Sequence, residues 1–173
     1  FWLAWGTLAY TSRSSQTTGR RWMADLHIDD FYRDVAKIFV RLYAVFPQKT
    51  ILYVEDISGP DEPDEFGLHH PRFQACFSTM VWLAEHGYIN FVDSVRQEAL
   101  DQAVLSQKAF LLLSSRSNPE LVAGEVDASL PPSVLEEAQA NIAQLRRALR
   151  EKSSITLQKC VRYLLAHPPI GAH

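Results

Sequence analysis

Between Asp29 and Phe46 the chain offers almost no polar side to a helix, and that constrains the fold more than any other feature. Phe31, Val35, Ile38, Leu42 and Val45 recur at three- and four-residue spacing, the period of an α-helix. Tyr32, Ala36, Phe39, Val40 and Tyr43 make much of the remaining surface apolar as well. A surface helix keeps one polar face, so a helix with this pattern is covered on more than one side. Asp29 and Asp30 read as its N-cap and first-turn acids, and Pro47 ends it.

After this helix, Lys49–Ile57 (KTILYVEDI) has the β-branched, alternating character of a strand. Ser58–Leu68 (SGPDEPDEFGL) holds two Pro, two Gly and four acids and reads as a loop. Pro71 suits the first turn of a second helix with a stripe of Phe73, Phe77, Met80, Val81 and Ala84, and Gly87 is a ready C′ residue. Tyr88–Val95 reads as a strand. Arg96–Gln102 is either a wing-like hairpin tip or a short turn of helix, and Val104 and Leu105 form a brief return strand. Ser106 caps a helix containing Ala109, Phe110 and Leu113. Residues 114–132 are rich in Ser, Pro and Gly, with a linker over 117–132. Beyond it, Ser133–Glu151 predicts one long helix. Its Leu135, Ala138, Ile142, Leu145 and Leu149 lie at alternating three- and four-residue intervals, a heptad seam of two repeats. That seam is either a homodimer interface or folds back on the chain's own core. A last helix capped by Ser153 or Ser154 presents Leu157, Val161, Leu164 and Leu165, giving a C-terminal helical hairpin over 133–167.

The first 24 residues form a separate extension. FWLAWGTLAY is about half the length needed to cross a bilayer. It reads as an upstream extension before a native start at Met23, as the end of a truncated membrane span, or as an element packed on the core. No membrane contact is expected unless residues 1–10 continue an upstream span. Residues 11–22 read as a polar linker.

Hydrophobic residues make up 47% and charged residues 21%, which excludes wholesale disorder. Charge is unevenly spread. Residues 1–24 carry three Arg and no acid, whereas residues 25–118 hold 8 Lys and Arg against 14 Asp and Glu. An acidic centre weighs against non-specific nucleic-acid binding, which needs a positive footprint. The two cysteines, Cys76 and Cys160, sit singly in apolar helical patterns and read as buried small hydrophobes of a reducing, cytoplasmic protein.

The order helix, strand, helix, β-hairpin, helix is that of a winged helix-turn-helix, and MVWLAEHGYINF and VLSQKAFLLLS carry it best. More narrowly, YVEDISGPDEPDEFGLHHPRFQACFSTMVWLAEHGYI and RQEALDQAVLSQKAFLLL resemble small proteobacterial, partly phage-like proteins of uncharacterised function, over roughly residues 25–165. The resemblance implies an α+β, mostly helical chain: a winged-helix-like domain over 25–116 followed by two C-terminal helices. It departs in one place. No second helix is read before the recognition-type helix, and the acidic Pro-rich loop takes that position, against major-groove docking.

For DNA, that helix offers Arg72, Gln74, Ser78 and Thr79, with Arg96 and Lys108 contributing from the hairpin and the following helix. His69 and His70 beside the acidic loop invite a metal, but the spacing matches no calcium loop and reads better as a solvated loop with a helix cap. Glu55 and Asp56 alternate across a strand and cannot form an acid/base pair. No nucleophile elbow, phosphate-cradling Gly loop or dinucleotide fingerprint is present, so no catalytic residue, cofactor or metal is assigned. The expectation is a non-enzymatic regulatory module, a dimer acting in transcription regulation, that binds double-stranded DNA or a DNA-bound protein partner. The alternative is a protein–protein adaptor on the same scaffold.

Overall fold

A computed structural model describes residues 18–122 and 129–167, with side chains from His27 onward. The class is α+β and mostly helical, with seven helices and a small antiparallel sheet among the described residues. None of those helices is long and apolar enough to cross a membrane. Residues 1–17, and with them FWLAWGTLAY, lie outside the described residues, as do 123–128 of the expected linker and the last six residues.

Helix α1 (Thr18–Val45) is the axis of the molecule. Val35, Ala36, Ile38, Phe39 and Leu42 are all 0% exposed, and Asp34 is 1% exposed. At about 100° per residue these positions span roughly 200° of the circumference. Helices α3, α6 and α7, the one-turn α2 and strand β4 all pack on α1, so cover on more than one side is observed. The helix begins eleven residues before Asp29, so neither Asp29 nor Asp30 is an N-cap. Residues 18–22, expected in a linker, are helical: once the buried part has formed, each further residue adds a hydrogen bond without a new nucleus.

Strand β1 (Thr50–Tyr53) is shorter than expected, because the chain turns at Val54 into α2 (Glu55–Ser58). That turn buries Ile57, and it places a short helix where none was read. A long loop then leads to α3 (Pro71–Glu85), which starts on Pro71, with His70 Nδ1 accepting from the Arg72 amide at 3.4 Å. Its buried side differs from the expected stripe: Phe73, Cys76, Thr79, Met80 and Leu83 are enclosed, while Phe77, Val81 and Ala84 are half-buried. Gly87, at φ +73°, closes the helix. Its amide donates to Ala84 O (3.0 Å) and the Tyr88 amide to Leu83 O (2.9 Å).

Strands β2 (Ile89–Asn90) and β3 (Asp93–Val95) are two pieces of one strand, bridged by the Val92 amide donating to Asp101 O at 3.0 Å. Both pair with β4 (Ala99–Leu105), which lies between them and β1 and is antiparallel to all three. Arg96 and Gln97 form the hairpin tip with φ of 49° and 61°, the positive values a two-residue turn of type I′ requires. The return strand is seven residues long, not two. A bulge at Gln102 (φ 52°) breaks the alternation that marks a strand in sequence.

Helix α4 (Gln107–Ser114) is capped by Ser106, whose Oγ accepts from the Ala109 amide at 3.2 Å. The single helix expected over 133–151 is two: α5 (Pro132–Gln139) and α6 (Asn141–Arg150), separated by an extended Ala140. The break is tertiary in origin. Arg116 and Ala140 form a β-bridge, and Asn141 Nδ2 donates to Leu112 O (2.8 Å) and to Ser115 Oγ (3.1 Å). The heptad seam is therefore divided. Leu135 and Ala138 lie on α5, which buries no residue; Ile142 and Leu145 are enclosed in the chain's own core, and Leu149 is half-buried against it. Helix α7 (Ser154–Ala166), capped by Ser153, packs Leu157, Cys160, Val161 and Leu164 against α1 and α6. One apolar cluster thus joins the segments on either side of the expected linker.

Replacing Gly87 by Ala tests the turn on which this arrangement depends. A Cβ there would meet nothing within 4 Å. The loss is therefore that of a left-handed residue alone, about 1–2 kcal/mol in a urea titration.

Candidate functional site

Helices α1 and α3 diverge toward solvent and leave a groove of about 540 Å³, with Ile28, Phe31 and Trp82 on its apolar walls and Asp34 at its floor. The Trp82 ring meets Phe31 edge-on at 5.3 Å and stacks on His86 at 4.0 Å, so it serves as core and groove wall together.

Asp34 carries no shield of water, yet it is fully engaged. Arg72 Nη1 and Nη2 donate to its two carboxylate oxygens at 2.7 and 2.5 Å, and Arg72 Nε lies 3.5 Å from Asp30 Oδ2. The hydrogen bond that Arg72 donates to Asp34 raises the guanidinium pKa above its ordinary value, despite the opposing effect of burial. Such a buried pair adds little net stability over an apolar one, because desolvation offsets its attraction. Breaking it is a different matter, since it strands a carboxylate that is 1% exposed. The pair sets how α1 and α3 sit against each other. Cys76 lies beside it, and burial first, then the Asp34 charge, pushes its thiol up to about 12. Burial raises Cys160 as well. Both are protonated thiols enclosed in the core, without nucleophilic character.

The residues expected to read DNA are dispersed by this arrangement. Arg72 is consumed by Asp34. Thr79 is buried and donates to Ala75 O at 3.0 Å. Gln74 and Ser78 are exposed, although Gln74 Nε2 donates to His69 O and Ser78 Oγ to Gln74 O, each at 2.9 Å. Both share a second groove, about 450 Å³, with Arg96 at the hairpin tip. Lys108 is remote from that groove: its Nζ lies over the Tyr88 ring at 4.4 Å and donates to His86 O at the other end of α3.

The acidic loop is more ordered than its composition implied. Asp61 Oδ2 lies 2.8 Å from His69 Nδ1 and accepts from the His70 amide at 3.2 Å, and the His69 ring stacks on Phe73 at 3.9 Å. Nε2 of the same ring is 3.7 Å from Glu98 Oε1, so the loop lies beside the hairpin. Among the described residues, no group of three or more His, Cys, Asp or Glu is arranged to hold a metal ion. Glu55 and Asp56 sit on α2 rather than on a strand, and Asp56 is spent on Arg41 at 2.6 Å.

Sequence reasoning missed Asp34 altogether. The available signal was an acid flanked by Phe31, Val35 and Ile38 in a helix that had to be covered. No family model, curated protein or solved structure matches this chain.

Arg72→Ala, which leaves Asp34 buried without its partner, is expected to cost about 3–5 kcal/mol in chemical denaturation. Arg72→Lys keeps the charge, loses the two-pronged geometry and is expected to fall between that variant and the parent. At pH 8, Cys76 and Cys160 should react with iodoacetamide only as fast as the chain unfolds. Rapid labelling in the native state would contradict the buried thiols.

Proposed function

We propose that this chain is a cytoplasmic, non-enzymatic winged-helix regulatory module that docks a basic segment of a protein partner and does not read duplex DNA through α3. The order α1, β1, α2, α3, β2 with β3, then β4, and the place of β4 between β1 and β2, supports a winged-helix scaffold. In that scaffold α3 stands where a recognition helix would, and Arg96–Gln97 where the wing tip would. Two cysteines left as buried thiols fit a reducing compartment.

The observation that carries the reading is the Arg72–Asp34 pair, because it engages the one permanent cation of α3, which is half-buried, in a two-pronged bond to a buried carboxylate. Around α3 and the hairpin, the exposed charges are Glu62, Asp64, Glu65, Glu85, Asp93 and Glu98 against Arg96. A duplex presents one phosphate charge per ~1.7 Å of its axis, so this surface repels it. The same acids attract a basic protein segment and speed its encounter. The apolar walls of the α1–α3 groove supply room for that segment's apolar side chains.

Fluorescence anisotropy at low salt separates the two partners. A labelled Lys/Arg-rich peptide with interspersed apolar residues is expected to bind, and Glu62→Lys with Glu65→Lys to weaken it about tenfold, the equivalent of ~1.4 kcal/mol. A labelled duplex is expected to remain free. Duplex binding that falls steeply with salt, or peptide binding indifferent to the charge reversal, would reject the proposal.

A further inference from the structure

Away from the acidic surface, α1 shows the opposite charge. Arg33, Lys37 and Arg41 recur every four residues and occupy a strip about 80° wide on the side of α1 that the core leaves open. Where α6 turns into α7, Lys152 faces that strip across a cleft of about 310 Å³. Arg33, Lys37 and Lys152 line this cleft, its floor is Ala148, Leu149 and Leu157, and no carboxylate is in its lining.

The neighbouring carboxylates are committed elsewhere or only partly engaged. Glu151 pairs with Arg147 at 3.0 Å and Asp56 with Arg41 at 2.6 Å. Asp30 is 3.3 Å from Arg33 but also faces Arg72. Lys37 Nζ donates to Ile57 O at 2.8 Å, which uses one of its three N–H groups. Lys152 makes no ion pair among the described residues, and it holds a left-handed backbone (φ 53°) at the cleft mouth. The lining thus brings three cationic side chains to one cleft, where an anion is attracted by more than one of them.

We infer that this cleft binds the phosphate monoester of a small, largely apolar molecule. A phosphate monoester carries about −1.5 to −2 charge at pH 7, which matches three converging cations better than a single carboxylate does. The volume is at the small end of ligand cavities, and an apolar floor beneath the cations favours an organic body over a free ion. The site lies apart from the α1–α3 groove and does not depend on the function proposed for it.

Calorimetric titration of the full chain with phenyl phosphate and with inorganic phosphate, at constant ionic strength, tests the assignment. Phenyl phosphate is expected to saturate one site and to bind about fivefold more tightly than inorganic phosphate, the difference being the buried ring. Lys152→Glu should weaken it at least about tenfold and Arg33→Gln several-fold, whereas Lys159→Glu, an exposed α7 position outside the cleft, should leave it unchanged. All three changes are on exposed side chains, and circular dichroism verifies the fold of each variant. Absence of saturation by about 10 mM phenyl phosphate, or equal binding by Lys152→Glu and the parent, overturns the inference.

Discussion

A helix enclosed over more than half its circumference cannot be finished by a single neighbouring layer, and α1 draws its partners from the middle and the end of the chain. The sheet and α3 come from the residues that follow it, α6 and α7 from the last quarter. That enclosure is why the C-terminal helices belong to the same core as the sheet. It also explains the loss of the heptad seam as a surface. Ile142 and Leu145 had the spacing of a coiled-coil stripe, but their nearest unsatisfied apolar surface was α1, reached without the entropy of bringing two molecules together.

Within that core Arg72 stands apart, since among the described residues it is where α1 and α3 meet through charge, bonded to Asp34 and 3.5 Å from Asp30. Its geometry is directional where apolar packing is not, and it ties the start of α3 to α1. The consequence reaches the surface. Two of the five guanidinium N–H groups are committed to a buried carboxylate, and Gln74 and Ser78 are the exposed hydrogen-bonding side chains on the same helix. The acids of the Asp61–Glu65 loop and of the hairpin then dominate the field on that side. His69, stacked on Phe73 and bonded to Asp61, anchors the loop to α3 and lies 3.7 Å from Glu98 of the hairpin.

The opposite side of α1 has the reverse character for the same reason. Positions 33, 37 and 41 fall in the gap left by the core, where long cationic side chains can lie along apolar surface and keep their heads in water. The molecule is therefore charged asymmetrically about its central helix: acidic beside α3 and the hairpin, basic beside the α6–α7 turn. A net charge of −3 conceals this.

Local and periodic features were determined by the sequence itself. The start of α3 at Pro71, its end at Gly87 and the serine caps at 106 and 153 follow from interactions within a few residues, while the enclosed helix and the burial of both cysteines are announced by the spacing of apolar residues. Tertiary structure decided whatever depends on a distant partner. Ala140 is extended because residues 115–117 claim its neighbourhood; Val54 turns into a helix because Ile57 finds the core. Arg72 is half-buried and paired because Asp34, 38 positions away, is buried where it needs a cation. Propensity and spacing report what a segment can form, while desolvation and pairing across the fold select among those options, and a one-dimensional pattern carries no record of which charge will meet which.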